Sequence, residues 1–207
     1  MTALDVETPH GPARAHLTDG GSRGTLLLGH GAGGGVESAD LLAVARDAAE
    51  GGWRVLRVEQ PWRVAGKRIA PAPPRLDEGW RAVVAHLSGT GHLTGALVVG
   101  GRSAGARVAC RTAGQVGADG VLALAFPLHP PGRPEKSRAG ELTGVTVPVV
   151  VVQGETDAFG APADVAAVLA GRAYASVYAV PGDHALKKNP DLIGAAAASW
   201  LTEVVTG

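Results

Sequence analysis

The sequence predicts a three-layer α/β/α sandwich on a mostly parallel central sheet. Two observations carry this. Short runs dominated by Val, Leu and Ala, such as residues 24–29, 96–100 and 147–152, carry no charged residue, the pattern of strands covered on both faces. These runs alternate with stretches of helical length along the chain, and strict β/α alternation gives parallel pairing through crossover helices.

Taken in order, residues 24–29 form a buried strand that runs into His30. Ser38 suits the N-cap of the helix LLAVARDAAE, and Gly51 its stop. A strand over 53–58 and a helix around 77–88 follow, then strand 96–100, helix 104–116 and strand 120–126. Strand 147–152 precedes a helix over 162–170, with Pro162 in its first turn. Strand 175–180 and helix 191–205 close the chain. Residues 1–12 are expected to be unstructured, and 1–207 to form one domain. Two linkers, 59–76 and 127–146, exceed the usual length for such units. Both follow strands and are expected at the sheet's carboxyl edge, where open α/β folds bind ligands.

Bulk properties narrow the partners. With 19 basic and 19 acidic residues the net charge is zero, and only 4% of residues are aromatic, so nucleic acid is a poor fit. The single cysteine, Cys110, excludes an internal disulfide and a cysteine-rich zinc site, and reads as a buried apolar thiol. No run approaches the roughly 20 apolar residues of a membrane span, and MTALDVETPHGPARA lacks the form of a signal peptide. A cytoplasmic setting is the expectation.

Gly101-Arg102-Ser103-Ala104-Gly105 lies between a strand and a helix. In that context the five residues describe a strained turn that lifts a serine hydroxyl above the sheet edge, over a helix N-terminus that favours negative charge. A serine needs a general base oriented by a third group. Strand 147–152 runs into Gln153-Gly154-Glu155-Thr156-Asp157, and strand 175–180 into Pro181-Gly182-Asp183-His184, so an acid and a histidine reach the same edge. Glu155 and Asp183 are rival acids. Asp157 is preferred because its loop follows the penultimate strand, leaving Asp183 to shape its own turn. For an oxyanion, the N–H of Ala104 is one donor, and the loop His30-Gly31-Ala32-Gly33-Gly34-Gly35 supplies the other. Ala32 is chosen there, with Gly31 and Gly33 close behind.

The turn, the glycine loop and the Ser, Asp, His order resemble the α/β-hydrolase superfamily. More narrowly, GKR-x-x-P-x-P, FPLHPPG-x-PEK, VVVQGETDAFG and GDHALKK resemble a small dienelactone-hydrolase-related group. That group includes the hydrolase-like domain of testis-expressed and histone-acetyltransferase-complex scaffold proteins. The similarity runs from about residue 24 to the C-terminus. It implies the fold and a Ser103, Asp157, His184 triad, working without cofactor or metal. Many relatives carry a helical cap between the strand after the nucleophile helix and the strand of the acid. Here that interval is only 127–146 and rich in proline, so the resemblance implies an α/β-hydrolase with no lid domain.

The expected activity is hydrolysis of an ester, lactone, thioester or amide of a small acyl compound. Two other readings stay open. Gly29-His30-Gly31-Ala32-Gly33-Gly34 matches G-x-G-x-x-G, with Glu59 where a ribose-binding acid sits, as in a dinucleotide-binding oxidoreductase. A non-catalytic interaction module on the same fold is the second, since folds host many functions. Expected substrate contacts are Gly31, Gly33, Trp62, Arg68, Arg102 and His129. Basic residues outnumber acids across the two linkers, and Arg102 adds one beside Ser103, so the acyl substrate is expected to be anionic.

Overall fold

The structure, a computed structural model, describes residues 2–206. Eight strands form one sheet: β1 (Thr2–Val6), β2 (Ala13–Thr18), β3 (Gly24–Gly29), β4 (Trp53–Glu59), β5 (Ala96–Arg102), β6 (Gly120–Leu124), β7 (Val149–Gly154) and β8 (Ala175–Val180). Their spatial order is β1-β2-β4-β3-β5-β6-β7-β8, parallel from β4 to β8 and antiparallel at β1 and β2.

Alternation along the strands sends side chains to two cores. Leu27, Val99 and Val151 face one cluster, where Trp80, Val83 and Leu87 of α3 (Pro73–Gly89) and Ala106 and Ala109 of α4 (Ala104–Thr112) pack. Leu26, Leu28, Val98, Val150 and Val152 face the other. There Leu41 and Val44 of one helix (Ala39–Glu50, α1) meet Ile193, Ala197 and Trp200 of another (Pro190–Thr206, α7). Helices on both faces make three layers, and the parallel strands from β3 to β7 are largely buried on both sides, whereas the edge strand β8 is partly exposed. Among the described residues no helix is long and apolar enough to cross a membrane.

The structure differs from expectation at the N-terminus. Instead of an unstructured 1–12, Thr2–Val6 pairs with Ala13–Thr18, and that strand extends the sheet beyond β4. TALDV and ARAHLT lack continuous apolar runs because an antiparallel edge buries one face only. Ala13 and Ala15 are buried while Arg14 between them and His16 after them are partly exposed. The linkers also carry short helices, α2 (Pro61–Val64) and α5 (Ala139–Thr143), and α3 begins at Pro73 rather than near 77. Proline at a first helical turn loses no hydrogen bond, so the Pro73-Pro74 pair starts a helix rather than blocking one. The interval between β6 and β7 holds only α5 and a single 3-10 turn, and no lid domain.

Candidate active site

Loops at the carboxyl ends of β3, β5, β6, β7 and β8 enclose a cavity of about 940 Å³. Ser103 stands in its wall, between β5 and α4, with φ 52° and ψ −105°. A positive φ is costly for a residue with a Cβ, and persists where the surroundings over-determine it. Two constraints do so. The Ser103 N–H donates to the Leu124 carbonyl at 2.9 Å, and β3 packs so closely that a Cβ on Gly101 or Gly105 would collide with the Gly29 carbonyl oxygen. The glycines on either side of Arg102-Ser103-Ala104 are thus a packing requirement.

Ser103 Oγ lies 2.9 Å from His184 Nε2, and His184 Nδ1 lies 2.8 Å from Asp157 Oδ2. The Asp157 side chain is fully buried, whereas the imidazole keeps 20% exposure, so the acid is dry and the base can be reached. Asp157 is the acid that meets His184. Its rival Asp183 accepts from the Ala185 N–H at 2.9 Å and so shapes its own turn, and Glu155 is exposed. Two groups without an obvious sequence signal hold the assembly. Gln153 accepts from the Phe126 N–H and donates to the Phe126 carbonyl, the Gly160 carbonyl and Asp157 Oδ2, the last at 2.9 Å. Phe159 packs its ring on the imidazole with centroids 4.1 Å apart. In VVVQGETDAFG the spacing of Gln153 to Asp157 was visible, but its inward orientation was not.

The glycine loop is shaped by His30. Its Nε2 accepts from the Gln60 N–H at 3.2 Å, which leaves Nδ1–H to donate to the Gly31 carbonyl at 2.9 Å. Burial lowers the His30 pKa from the ordinary 6.5, and the Gln60 donor has no place for a second ring proton. The folded chain therefore resists protonation that the unfolded chain accepts, and stability is lost as pH falls below about 6.5. Chemical denaturation of His30→Gln across pH 5–7 is expected to show a shallower slope than wild type, by up to about 1.4 kcal/mol per pH unit. Equal slopes would remove His30 as the titrating group. Beyond Gly31, Ala32 and Gly33 line the cavity, and the N–H groups of Ala32 and Ala104 enter no loop or turn hydrogen bond among the described residues. Ala104 opens α4, where a helix leaves its first N–H groups without internal acceptors.

A family model described as "Alpha/beta hydrolase domain" matches residues 22–206. The chain belongs to the α/β-hydrolases. Only β1 and β2 precede the matched span. A serine hydrolase without a lid from Xanthomonas campestris has the same fold, with TM-score 0.79, 21% identity and coverage of 98% of this chain and 94% of that one. A serine hydrolase homologue from Coxiella burnetii gives 0.80 at 15% identity over 97% of both chains. An esterase from Pyrococcus furiosus gives 0.78 at 15%, covering 99% of this chain and 91% of that one.

Within this α/β-hydrolase several expected substrate contacts lie elsewhere. Trp62 is buried beside His30, with ring centroids 5.5 Å apart, and lines a separate pocket of about 70 Å³. Arg68 is exposed on the first linker, none of which reaches the cavity wall. His129 sits behind Phe159, taking the Phe159 carbonyl with its N–H and turning its ring to the Pro130 carbonyl. Gly31 is buried behind Ala32, its carbonyl taken by His30. Arg102 does reach the wall, yet its guanidinium is committed. It sits 3.0 Å from Asp40 of α1 and donates to the His184 carbonyl at 3.0 Å. It ties the serine turn, α1 and the histidine loop together.

The dinucleotide reading does not survive family membership, and two details explain why. The helix after the glycines places Asp40 in its first turn, a carboxylate where a pyrophosphate would need free N–H groups. Glu59 is covered by β2 and lies 3.5 Å from His16 Nε2. Cys110 is buried in α4 and its thiol is pushed up to about 12 by burial. Iodoacetamide at pH 8 is expected to leave the native protein unmodified, and full alkylation without denaturant would contradict that burial.

Proposed function

We propose that this chain is a serine hydrolase that cleaves an ester or related acyl bond through an acyl-enzyme on Ser103. The observation that carries this is the continuous chain from Ser103 Oγ through His184 to the buried Asp157 carboxylate, at 2.9 and 2.8 Å. In this reading His184 Nε2 takes the hydroxyl proton as Ser103 attacks the carbonyl carbon, and Asp157 keeps the proton of Nδ1 in place and offsets the charge on the imidazolium. The N–H groups of Ala104 and Ala32 receive the oxyanion, each contributing about 3 kcal/mol to the transition state. His184 then returns the proton to the leaving group, and water, activated by the same imidazole, releases the acyl chain. No cofactor takes part. An open mouth without a lid favours small or polar acyl compounds, of the carboxylesterase or dienelactone type.

Labelling with a fluorophosphonate, followed by peptide mass mapping, tests this reading directly. The adduct is expected on Ser103 and is expected to vanish in His184→Ala, because a serine without its base is a poor nucleophile. An unlabelled Ser103, under conditions that label a control esterase, would return the chain to the interaction-module reading.

Arg102 offers a separate check. Arg102→Ala removes the tie between the His184 carbonyl and Asp40 and leaves the 2% exposed Asp40 carboxylate without its partner. Losing one member of a buried pair costs about 3 kcal/mol or more, so Tm is expected to drop by about 6–12 °C. A Tm within about 2 °C of wild type would show that the pair is not structural.

A further inference from the structure

The charges around the cavity do not balance. Its wall carries two carboxylates, Glu37 and Asp40, and four cations, Arg102, Arg107, Arg138 and Lys187. Glu37 is taken by the buried Arg57 at 3.0 Å, and Asp40 by Arg102. Arg107 is held by both oxygens of Glu141, at 2.8 and 2.6 Å. The same carboxylate also takes Arg111, whose other end is held by both oxygens of Asp77. Arg138 and Lys187 are left. Among the described residues neither has a carboxylate within ion-pair distance.

Arg138 is the more telling of the two. It is half-buried, and of its five N–H groups one is used, Nη1 to the Pro127 carbonyl at 2.8 Å. That single bond orients the fork without neutralising it. Burial and the neighbouring Arg107 push its pKa down, and Glu141, whose carboxylate is already held by Arg107 and Arg111, offsets them only in part. Lys187, on the histidine loop, is exposed and adds a second positive charge to the same cavity.

We propose that Arg138 and Lys187 form an anion subsite in the cavity that holds Ser103, and that the substrate is an ester carrying a carboxylate. A planar guanidinium meets a carboxylate through two parallel N–H bonds, and the ammonium adds charge without demanding one geometry. The subsite replaces Arg68 and Arg102 as the source of selectivity, and naming this substrate class rests on the hydrolase reading above.

The test compares 4-nitrophenyl hydrogen succinate with the neutral 4-nitrophenyl succinamate, which differs in charge but hardly in shape. Wild type is expected to favour the anionic ester about tenfold in kcat/KM, and that ratio is expected to fall toward one in Arg138→Gln and in Lys187→Gln, mainly through KM. Lys187 is exposed and has no carboxylate within ion-pair distance among the described residues, so its variant reads the charge even if Arg138→Gln disturbs the Pro127 loop. A second arm measures binding of both esters to Ser103→Ala by calorimetry, where no turnover is required. Binding preference without turnover in wild type would sink the hydrolase reading and keep the subsite. Turnover of both esters at equal kcat/KM, or a ratio unchanged in both variants, would overturn the subsite and leave the hydrolase standing.

Discussion

Asp157→Asn is expected to lower kcat about 10⁴-fold while the protein stays folded. The reason is a count of donors. Asp157 Oδ1 accepts from the Phe159 N–H at 2.8 Å, and Oδ2 accepts from both Gln153 Nε2 and His184 Nδ1. All three partners donate. An asparagine that keeps its oxygen on Phe159 turns its NH₂ toward His184, so Nδ1 has to become an acceptor and the ring proton moves to Nε2. That tautomer donates to Ser103 instead of accepting its proton, and the base is lost. The same NH₂ faces Gln153 Nε2, donor against donor, at a stability cost of about 1–3 kcal/mol. Steady-state hydrolysis of a nitrophenyl ester beside a thermal melt checks both parts. A kcat within tenfold of wild type would mean that Asp157 is not what sets the tautomer.

Gly105→Val is the second large effect, and here two principles pull in opposite directions. Helix propensity alone favours a residue with a side chain over glycine inside α4, by up to about 1 kcal/mol. The Cβ, however, would press into the Gly29 backbone, which is held between β4 and β5 and has no room to retreat. Overpacking against fixed backbone costs about 3 kcal/mol or more, so sterics win, and Tm is expected to fall by about 6–12 °C. Activity is expected to fall further than stability explains, because the β3–α4 spacing also sets the distance between the N–H groups of Ala32 and Ala104, the proposed oxyanion donors. An unchanged Tm would show that α4 can shift away from β3.

How much of this was legible in the sequence depends on the range of each signal. Val149, Val150, Val151 and Val152 announce a strand buried on both faces in four consecutive letters, and the helix after Ser103 follows from its own composition. TALDV and ARAHLT carry no such signal on their own, because a strand buried on one face needs its partner before its pattern acquires meaning. The Pro73-Pro74 start of α3 is ambiguous in sequence because proline marks both helix starts and breaks.

Sequence alone determined the three-layer class, the strained turn at Ser103, and the delivery of an acid and a histidine to the same sheet edge. Each of these is set by neighbours a few residues apart, through periodicity, turn chemistry and chain order. Tertiary structure decided which acid meets His184, that Gln153 locks it, and that Trp62, Arg68 and His129 stand away from the cavity. It also decided which cations remain unmatched, since Arg102 finds Asp40, and Arg107 finds Glu141, only when the sheet brings distant segments together. A charged side chain's role depends on what else lies within a few ångströms of its tip, and that is a property of packing rather than of local pattern.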